Sequence, residues 1–330
     1  MIYFVSCEQY KQYSTSLKGR NFMDSFNDLE YATIMENLLH DTQYINTSNM
    51  GKMAGLRKHA EVMVRKILNI GSSKKLMLGQ IRKQSSNSAV KIGMDNLGNE
   101  LSDRLIDIVN RINPLGNDGT HTQHTDDFSN EEVKSVEDAL LDLYALIFIK
   151  YFLDIQISIY SEPQILREFS ISPPIVRYKT WNFLYEKDKN NIQVVDRLCL
   201  SIIKLFDKPT AYKWLEDNHE AIEKIPYPTK SEIARYDQIH TVEVAPGEYR
   251  AIVTLNFDNY SNMYDLLYAK ISDPRTSVNE SGKMYKNFEE AIEYYRNYRS
   301  SVTQSGSEEI AKLHSLMDFV YLGRKANGER

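Results

Sequence analysis

The side chains best suited to chemistry lie in residues 111–121, which read Arg-Ile-Asn-Pro-Leu-Gly-Asn-Asp-Gly-Thr-His. His121 at the end of this stretch titrates near neutrality, so it can act as an acid or a base in catalysis. Two other roles are open to it: ordering a turn through a hydrogen bond, and binding a ligand. His124, Asp126 and Asp127 follow closely, but their spacing fixes no complete metal-ligand set. We therefore predict no metal site and no cofactor.

A second chemical feature is a run of positive charge in residues 52–83. It carries nine Lys or Arg residues against a single acid, Glu61, although the whole chain has a net charge of −5. Such a run suits contact with the phosphates of a polyanion, and the alternative is an ordinary solvated face. The residues that we assign to nucleic-acid binding are Arg57, Arg65, Lys66, Lys74, Lys75, Arg82 and Lys83.

Two predicted helices flank the 111–121 stretch and must position it. In the upstream helix, apolar residues recur at helical spacing on one face, and charged residues share another. Pro114 disfavours helical geometry at the preceding residue, so we predict that this helix ends at Asn113. Ser129 and Glu132 have the spacing of a capping box that begins the downstream helix. Residues 113–128 are therefore predicted to form a long connecting loop.

Elsewhere the hydrophobic pattern is mainly helical. Residues 71–98 are rich in Gly, Ser, Asn, Lys and Gln, which predicts a mobile basic excursion with at most a short helix at 76–81. Residues 241–257 alternate with a period of two around a turn, which predicts one β-hairpin. The further predicted helices cover residues 28–40, 52–70, 129–153, 194–206, 285–298 and 308–322, together with helices that begin near Ser172-Pro-Pro174 and at Lys208.

Composition sets the class of protein. A chain of 330 residues with 42% hydrophobic content can bury a sizeable core and is long enough for two domains. The pattern of the sequence changes after residue 157, so we predict a domain boundary there, with domains at 1–157 and 158–330. Cys7 and Cys199 are far apart, and no stretch has the pattern of a signal peptide or a membrane span. We therefore expect a cytoplasmic protein without membrane contact.

Two stretches resemble the HEPN superfamily. The first is Leu-Arg-Lys-His-Ala-Glu-Val-Met-Val-Arg-Lys-Ile-Leu at residues 56–68, and the second is Asn-Pro-Leu-Gly-Asn-Asp-Gly-Thr-His at 113–121. More narrowly, they are similar to the HEPN-related domain of unknown function attached to type I restriction-enzyme motor subunits. The motif positions of that family are occupied here by Arg57, Glu61, Gly116, Asn117 and His121 over a match of about residues 28–155.

The resemblance implies a HEPN-like helical bundle followed by a helical C-terminal domain, a homodimer, and metal-independent RNA cleavage. His121 would be the acid or base, Arg111 the phosphate holder and Asn117 the third member of the catalytic set. Arg111 precedes His121 by ten residues, farther than the family spacing, so we rank binding of a nucleic acid or nucleotide first. The alternatives are an endoribonuclease using His121 and Arg111, and a non-catalytic protein-interaction module. Phage defence or a toxin–antitoxin pair is the implied setting, with a partner protein of a defence or restriction system.

The downstream helix predicted at 129–153 becomes apolar on every side towards its end. Such an end must be buried against something. We expect burial inside its own chain first, and a dimer surface as the alternative.

Overall fold

The computed structural model describes residues 25–118, 127–245, 248–251, 255–278, 282–302 and 306–329. This part of the chain is mainly helical, which confirms the predicted class, and fourteen α-helices are found in it. They are α1 (Asp28–Leu39), α2 (Asn49–Leu68), α3 (Ser88–Leu97), α4 (Asn99–Asp118), α5 (Asn130–Asp154), α6 (Pro163–Phe169), α7 (Pro174–Lys187), α8 (Ile192–Leu205), α9 (Lys208–Asp217), α10 (His219–Glu223), α11 (Lys230–Ile239), α12 (Met263–Ser272), α13 (Phe288–Ser301) and α14 (Glu308–Val320).

The first two long helices begin where the sequence provides a cap. The Asn27 side chain accepts from the Leu29 N–H at the start of α1, and the Ser48 side chain accepts from the Gly51 N–H at the start of α2. The α2 helix ends at Asn69, which has the left-handed conformation with φ of 53°. Asn tolerates this conformation better than most residues, so the chain can turn sharply there.

The centre of the molecule is α5, which packs against α2, α4 and α7. Its start is the predicted capping box: Ser129 accepts from the Glu132 N–H at 3.2 Å, and the Glu132 carboxylate accepts from the Ser129 N–H at 2.9 Å. The apolar faces that helical spacing predicts for α2 and α4 also point inward, with Ile67 at the end of the α2 face only partly buried. They are buried through Met53, Leu56, Ala60 and Met63 in α2, and through Leu101, Leu105, Ile108 and Ile112 in α4.

The prediction that Pro114 ends α4 at Asn113 was wrong, because the helix continues to Asp118 with the proline inside it. A proline at this position cannot donate to the Asn110 carbonyl, and a helix-interior proline costs about 3 kcal/mol. Tertiary contacts at the end of α4 outweigh this local cost. Residues 113–118 of the predicted 113–128 loop are therefore helix, and residues 119–126 lie outside the described residues.

The segment 71–98 is not the excursion from the bundle that the sequence predicts, because it packs into the core. The short helix predicted near 76–81 is present as a 3₁₀ turn, Leu78–Gln80, whereas the helix α3 was not predicted. Asn87 begins α3 by accepting from the N–H groups of Ala89 and Val90. The segment also contributes apolar side chains to the core, at Leu76, Leu78, Ile81, Val90 and Leu97.

The apolar end of α5 is covered by the same chain. The ring of Phe152 lies 4.5 Å from that of Trp181 in α7 and 4.9 Å from that of Phe169 in α6, measured between centroids. The hydroxyl of Tyr151 donates to the Glu309 carbonyl of α14 at 3.0 Å. Burial inside the chain, the first of the two expectations, is what the structure shows, and the apolar end gives no support to a dimer surface.

Packing is continuous across residue 157, where we predict a domain boundary. Buried apolar side chains from both sides belong to one core. A buried network reinforces it: Arg324 donates to the Tyr144 hydroxyl at 3.0 Å, and that hydroxyl lies 2.8 Å from Nε2 of His59. The C-terminal tail is thereby bonded to α5 and α2.

Two short strands, Thr241–Ala245 and Glu248–Ala251, pair antiparallel after α11. The register pairs Thr241 with Ala251 and Glu243 with Tyr249. None of the helices in the described ranges is both long enough and apolar enough to cross a membrane.

Candidate functional site

The two stretches that carry the sequence motifs meet in the structure. Arg57 in α2 donates from Nη1 to the carbonyl of Asn113 in α4 at 3.3 Å. Glu61, one turn further along α2, lies near Arg57. Burial lowers the pKa of Arg57, and the charge of Glu61 opposes that change. Arg57 therefore joins α2 to the last turns of α4.

The basic segment lies against the same place. The 3₁₀ turn Leu78–Gln80 packs on α4, and a Cβ built on Gly79 would lie 3.7 Å from Nδ2 of Asn113. The side-chain oxygen of Asn113 is buried without a hydrogen-bond partner among the described residues. Asn113 is thus the point where α2, α4 and the 71–98 segment come together.

Two of the seven predicted binding residues are not accessible, so our expectation for them was wrong. Arg65 is 8% exposed and donates from Nη1 to the carbonyls of Gly71 and Lys74, each at 2.9 Å. Lys66 bonds the carboxylate of Asp28 at 2.7 Å, and its ammonium lies over the ring of Phe319. The spacing of both residues predicts a polar, exposed side of α2, but α1 and the 71–98 segment cover that side. Arg65 holds the basic segment in place.

The four predicted binding residues that belong to the 71–98 segment are exposed. Lys74 and Lys75 lie before the 3₁₀ turn, and Arg82 and Lys83 follow it. Lys83 has a 74% exposed side chain and pairs with Asp103 at 3.0 Å, so its charge is partly balanced. The local structure therefore presents these four cations, together with Lys91 of α3, at the surface on a segment that is itself packed into the core.

Arg111 points to a different side of α4. Residues 111 and 113 are two apart in a helix and therefore face nearly opposite directions. The Arg111 guanidinium forms an ion pair with Asp142 of α5 and lies 3.6 Å from Asp138. Lys179 of α7 bonds both carboxylates at 2.9 Å. Arg111 and Arg57 thus contact different neighbours: Arg111 binds carboxylates of α5, whereas Arg57 binds the Asn113 carbonyl.

The Arg111 cluster is an interhelical charge network. Burial alone would raise the pKa of Asp142, but hydrogen bonds and charge from Arg111 and Lys179 outweigh burial and lower it. Arg104 adds a contact to Asp142 at 3.8 Å. The sequence reading missed Asp142 and Lys179 as members of the cluster. A carboxylate inside the most apolar run of the chain was the available signal, because such a group needs a partner.

His121, His124 and Asp126 lie outside the described residues, and the side chain of Asn117 is not described either. Asp127 is described: its carboxylate accepts from the N–H of Met50 at 2.7 Å and from that of Phe128 at 3.0 Å. Within the described ranges, no three His, Cys, Asp or Glu side chains are grouped to hold a metal ion. The catalytic set stays a prediction.

No family model, curated protein or solved structure matches this chain.

Proposed function

We propose that the protein binds the phosphate backbone of a nucleic acid through the exposed cations Lys74, Lys75, Arg82 and Lys83. The observation that supports this proposal most strongly is that these four side chains project from a fixed segment. Arg65 and the buried apolar residues of the 71–98 segment hold its backbone in place. A preorganised set of cations loses less conformational entropy on binding than a flexible one.

The surroundings of the segment favour a site rather than scattered surface charge. The 3₁₀ turn between the two pairs of cations packs on α4 near Asn113, where Arg57 also binds. This is the end of α4 that leads into the predicted catalytic loop. A bound phosphate backbone would therefore pass close to the stretch that resembles the HEPN motif.

The resemblance belongs to the same proposal. We infer a HEPN-like bundle over residues 28–155 and a role in phage defence or a toxin–antitoxin pair. The contact between Arg57 and Asn113 supports this inference, since it joins the two stretches on which the resemblance rests.

Binding rather than cleavage is the function that we propose. As phosphate holder, Arg111 would have to exchange its contacts with Asp142 and Asp138 for a phosphate. Incubating wild type and His121→Ala with labelled RNA in the presence of a chelator separates the two activities. Binding without strand cleavage in wild type is the expected result, and cleavage lost in His121→Ala would establish the endoribonuclease instead.

The test of the binding surface is a four-site variant in which Lys74, Lys75, Arg82 and Lys83 become Gln. Its affinity for labelled RNA and for DNA is measured beside wild type. A matched control carries the same change of charge at four exposed lysines elsewhere, Lys134, Lys213, Lys230 and Lys286. We expect the first variant to lose binding, the control to keep it, and both to unfold at nearly the wild-type temperature. Equal binding by the two variants would reject the proposal and favour the protein-interaction module.

A further inference from the structure

A pocket that the sequence reading did not find lies between α6, α7 and α8. It contains about 320 Å³ of space, part of it open to solvent, and its lining includes Phe169 and Trp181. Three of its lining side chains are cations: Arg177 of α7, and Arg197 and Lys204 of α8. No acidic side chain lines it. The pocket is therefore small, partly apolar and strongly positive.

Arg177 is the unusual member of this set. It is 5% exposed, and its Nε has no hydrogen-bond partner among the described residues. Within that part of the chain, no carboxylate lies within ion-pair distance of Arg177 or of Lys204. A buried charge without a partner is costly, and a specific buried unsatisfied group calls for an explanation such as an ion.

The neighbouring groups do not provide the missing negative charge. Arg197 lies 3.5 Å from the buried carboxylate of Asp196, and that carboxylate also forms an ion pair with Lys270. The hydroxyl of Tyr285, close to Arg177, donates to the Ser170 carbonyl at 2.5 Å.

The cations also repel one another. Burial, together with the charges of Arg177 and Arg197, lowers the pKa of Lys204 to about 7. An anion in the pocket would reverse this effect, because it stabilises the protonated amine. Two guanidinium groups and an amine that faces them are suited to binding one multiply charged ligand.

We infer that this pocket binds a phosphoryl dianion, either inorganic phosphate or the terminal phosphate of a small molecule. A guanidinium presents paired donors that match phosphate oxygens, and an ammonium adds a point charge. A dianion balances the charges of Arg177 and Lys204, the two cations that have no carboxylate within ion-pair distance among the described residues, whereas a carboxylate balances only one. The pocket is partly open to solvent, so any carrier of the phosphoryl group can extend outwards through the open side.

This site is separate from the proposed nucleic-acid surface. The pocket is built from α6, α7 and α8, and none of its lining residues belongs to the 71–98 segment. An experiment on one site therefore does not depend on the other. RNA binding lost in the four-site variant would leave the pocket unaffected.

The test uses the full chain and measures thermal unfolding and calorimetric binding. Inorganic phosphate, a nucleoside monophosphate and acetate are compared at equal ionic strength. For wild type we expect phosphate at a hundred times its Kd to raise Tm by about 5 °C, and acetate to leave it unchanged. A nucleoside monophosphate that binds more tightly than inorganic phosphate would identify a nucleotide as the source of the phosphoryl group, and the reverse order would identify the free ion.

Single substitutions test whether phosphate binds in this pocket. Lys204→Gln should weaken phosphate affinity at least about tenfold, the usual scale for one charge-assisted hydrogen bond. Lys213→Gln, the same change at an exposed position of α9, should leave it unchanged. Arg177→Met removes the buried charge, so we expect it to abolish the phosphate effect while unfolding at or above the wild-type temperature without phosphate. If Arg177 instead stabilises the fold, Arg177→Met should unfold at a lower temperature than wild type.

Three results would overturn the inference. The first is a wild-type Tm that phosphate leaves unchanged, and the second is phosphate binding by Lys204→Gln as tight as that by Lys213→Gln. The third is competition with phosphate by an RNA oligomer without terminal phosphates. The last result would make the pocket part of a nucleic-acid surface.

Discussion

Arg111 and Asp142 form an ion pair between α4 and α5, and Lys179 of α7 bonds the same carboxylate. Three helices are joined through one carboxylate, which is only 10% exposed. The arginine that sequence reasoning placed at a catalytic centre therefore has a structural role in the described part of the molecule. This finding leads to the first prediction.

Replacing Asp142 with Asn should lower the free energy of unfolding by about 2 kcal/mol, because the change leaves buried cations without their counterion. Arg111→Gln should cost less, about 1 kcal/mol, because Arg111 is partly exposed and Lys179 still balances the carboxylate. Urea unfolding of each variant gives these differences. Asp138→Asn is the control: its side chain is 49% exposed, so it should change stability least. Equal costs at 138 and 142 would contradict the network.

The second prediction concerns pH. Burial, together with the charge of Arg324, lowers the pKa of His59 to about 3. The Tyr144 hydroxyl accepts a hydrogen bond from Arg324. Its own proton is therefore free to be donated to Nε2 of a neutral His59. In the unfolded chain the imidazole has its ordinary pKa, near 6.5. Between these values the unfolded state binds the extra proton, so stability should fall as pH decreases from about 6.5 towards 3.

The variant His59→Gln tests this assignment. Its free energy of unfolding should depend less steeply on pH than that of wild type between pH 6.5 and 4. The difference between the two slopes should correspond to about one fewer proton taken up on unfolding. His219→Gln is the control, because that side chain is 44% exposed on α10. If His59→Gln keeps the wild-type slope, the imidazole is not held neutral by the fold.

A third prediction tests whether the basic segment is fixed to the bundle. A Cβ on Gly93 of α3 would lie 2.7 Å from Cβ of Leu68 and 2.8 Å from its carbonyl oxygen. Gly93→Ala should therefore separate α3 from α2 and cost about 1 to 3 kcal/mol, despite the better helix propensity of Ala. A Cβ on Gly51, in the first turn of α2, makes only ordinary contacts, with the Ser48 hydroxyl at 3.4 Å and Cβ of Thr47 at 3.9 Å. Gly51→Ala should be neutral or stabilising by up to about 1 kcal/mol.

Amide hydrogen exchange measures the effect of Gly93→Ala on the 71–98 segment itself. In Gly93→Ala, the amides of the 71–98 segment should exchange faster while those of α5 keep their protection. Unchanged protection of the segment would show that the contact between α3 and α2 does not hold it.

Sequence reasoning succeeded where the signal was local. The capping box of Ser129 and Glu132 begins α5 as expected, and Pro174 stands in the first turn of α7, where a missing N–H costs nothing. The buried faces of α2 and α4 followed from helical spacing alone. In these cases the residues that determine the structure are within one or two turns of each other.

It failed where distant residues decide the outcome. Pro114 should end α4 by local rules, but the helix continues to Asp118, and Arg57 and the 78–80 turn contact it at Asn113, just before the proline. Arg65 and Lys66 have the spacing of an exposed polar face, yet the groups that bury them come from Gly71, Lys74 and Asp28. The Arg177 pocket combines three helices, and no short pattern predicts it. Helical periodicity shows that a face is polar without showing what covers it.

The most direct test of the proposed function is the salt dependence of RNA binding. The logarithm of the affinity should fall linearly with the logarithm of salt concentration, with a slope set by the number of phosphates contacted. With Lys74, Lys75, Arg82 and Lys83 changed to Gln, the slope should become shallower by about three, somewhat less than four because Lys83 is partly balanced by Asp103. The control with Gln at 134, 213, 230 and 286 should keep the wild-type slope. Wild-type binding that is insensitive to salt, or the same slope in both variants, would contradict the account.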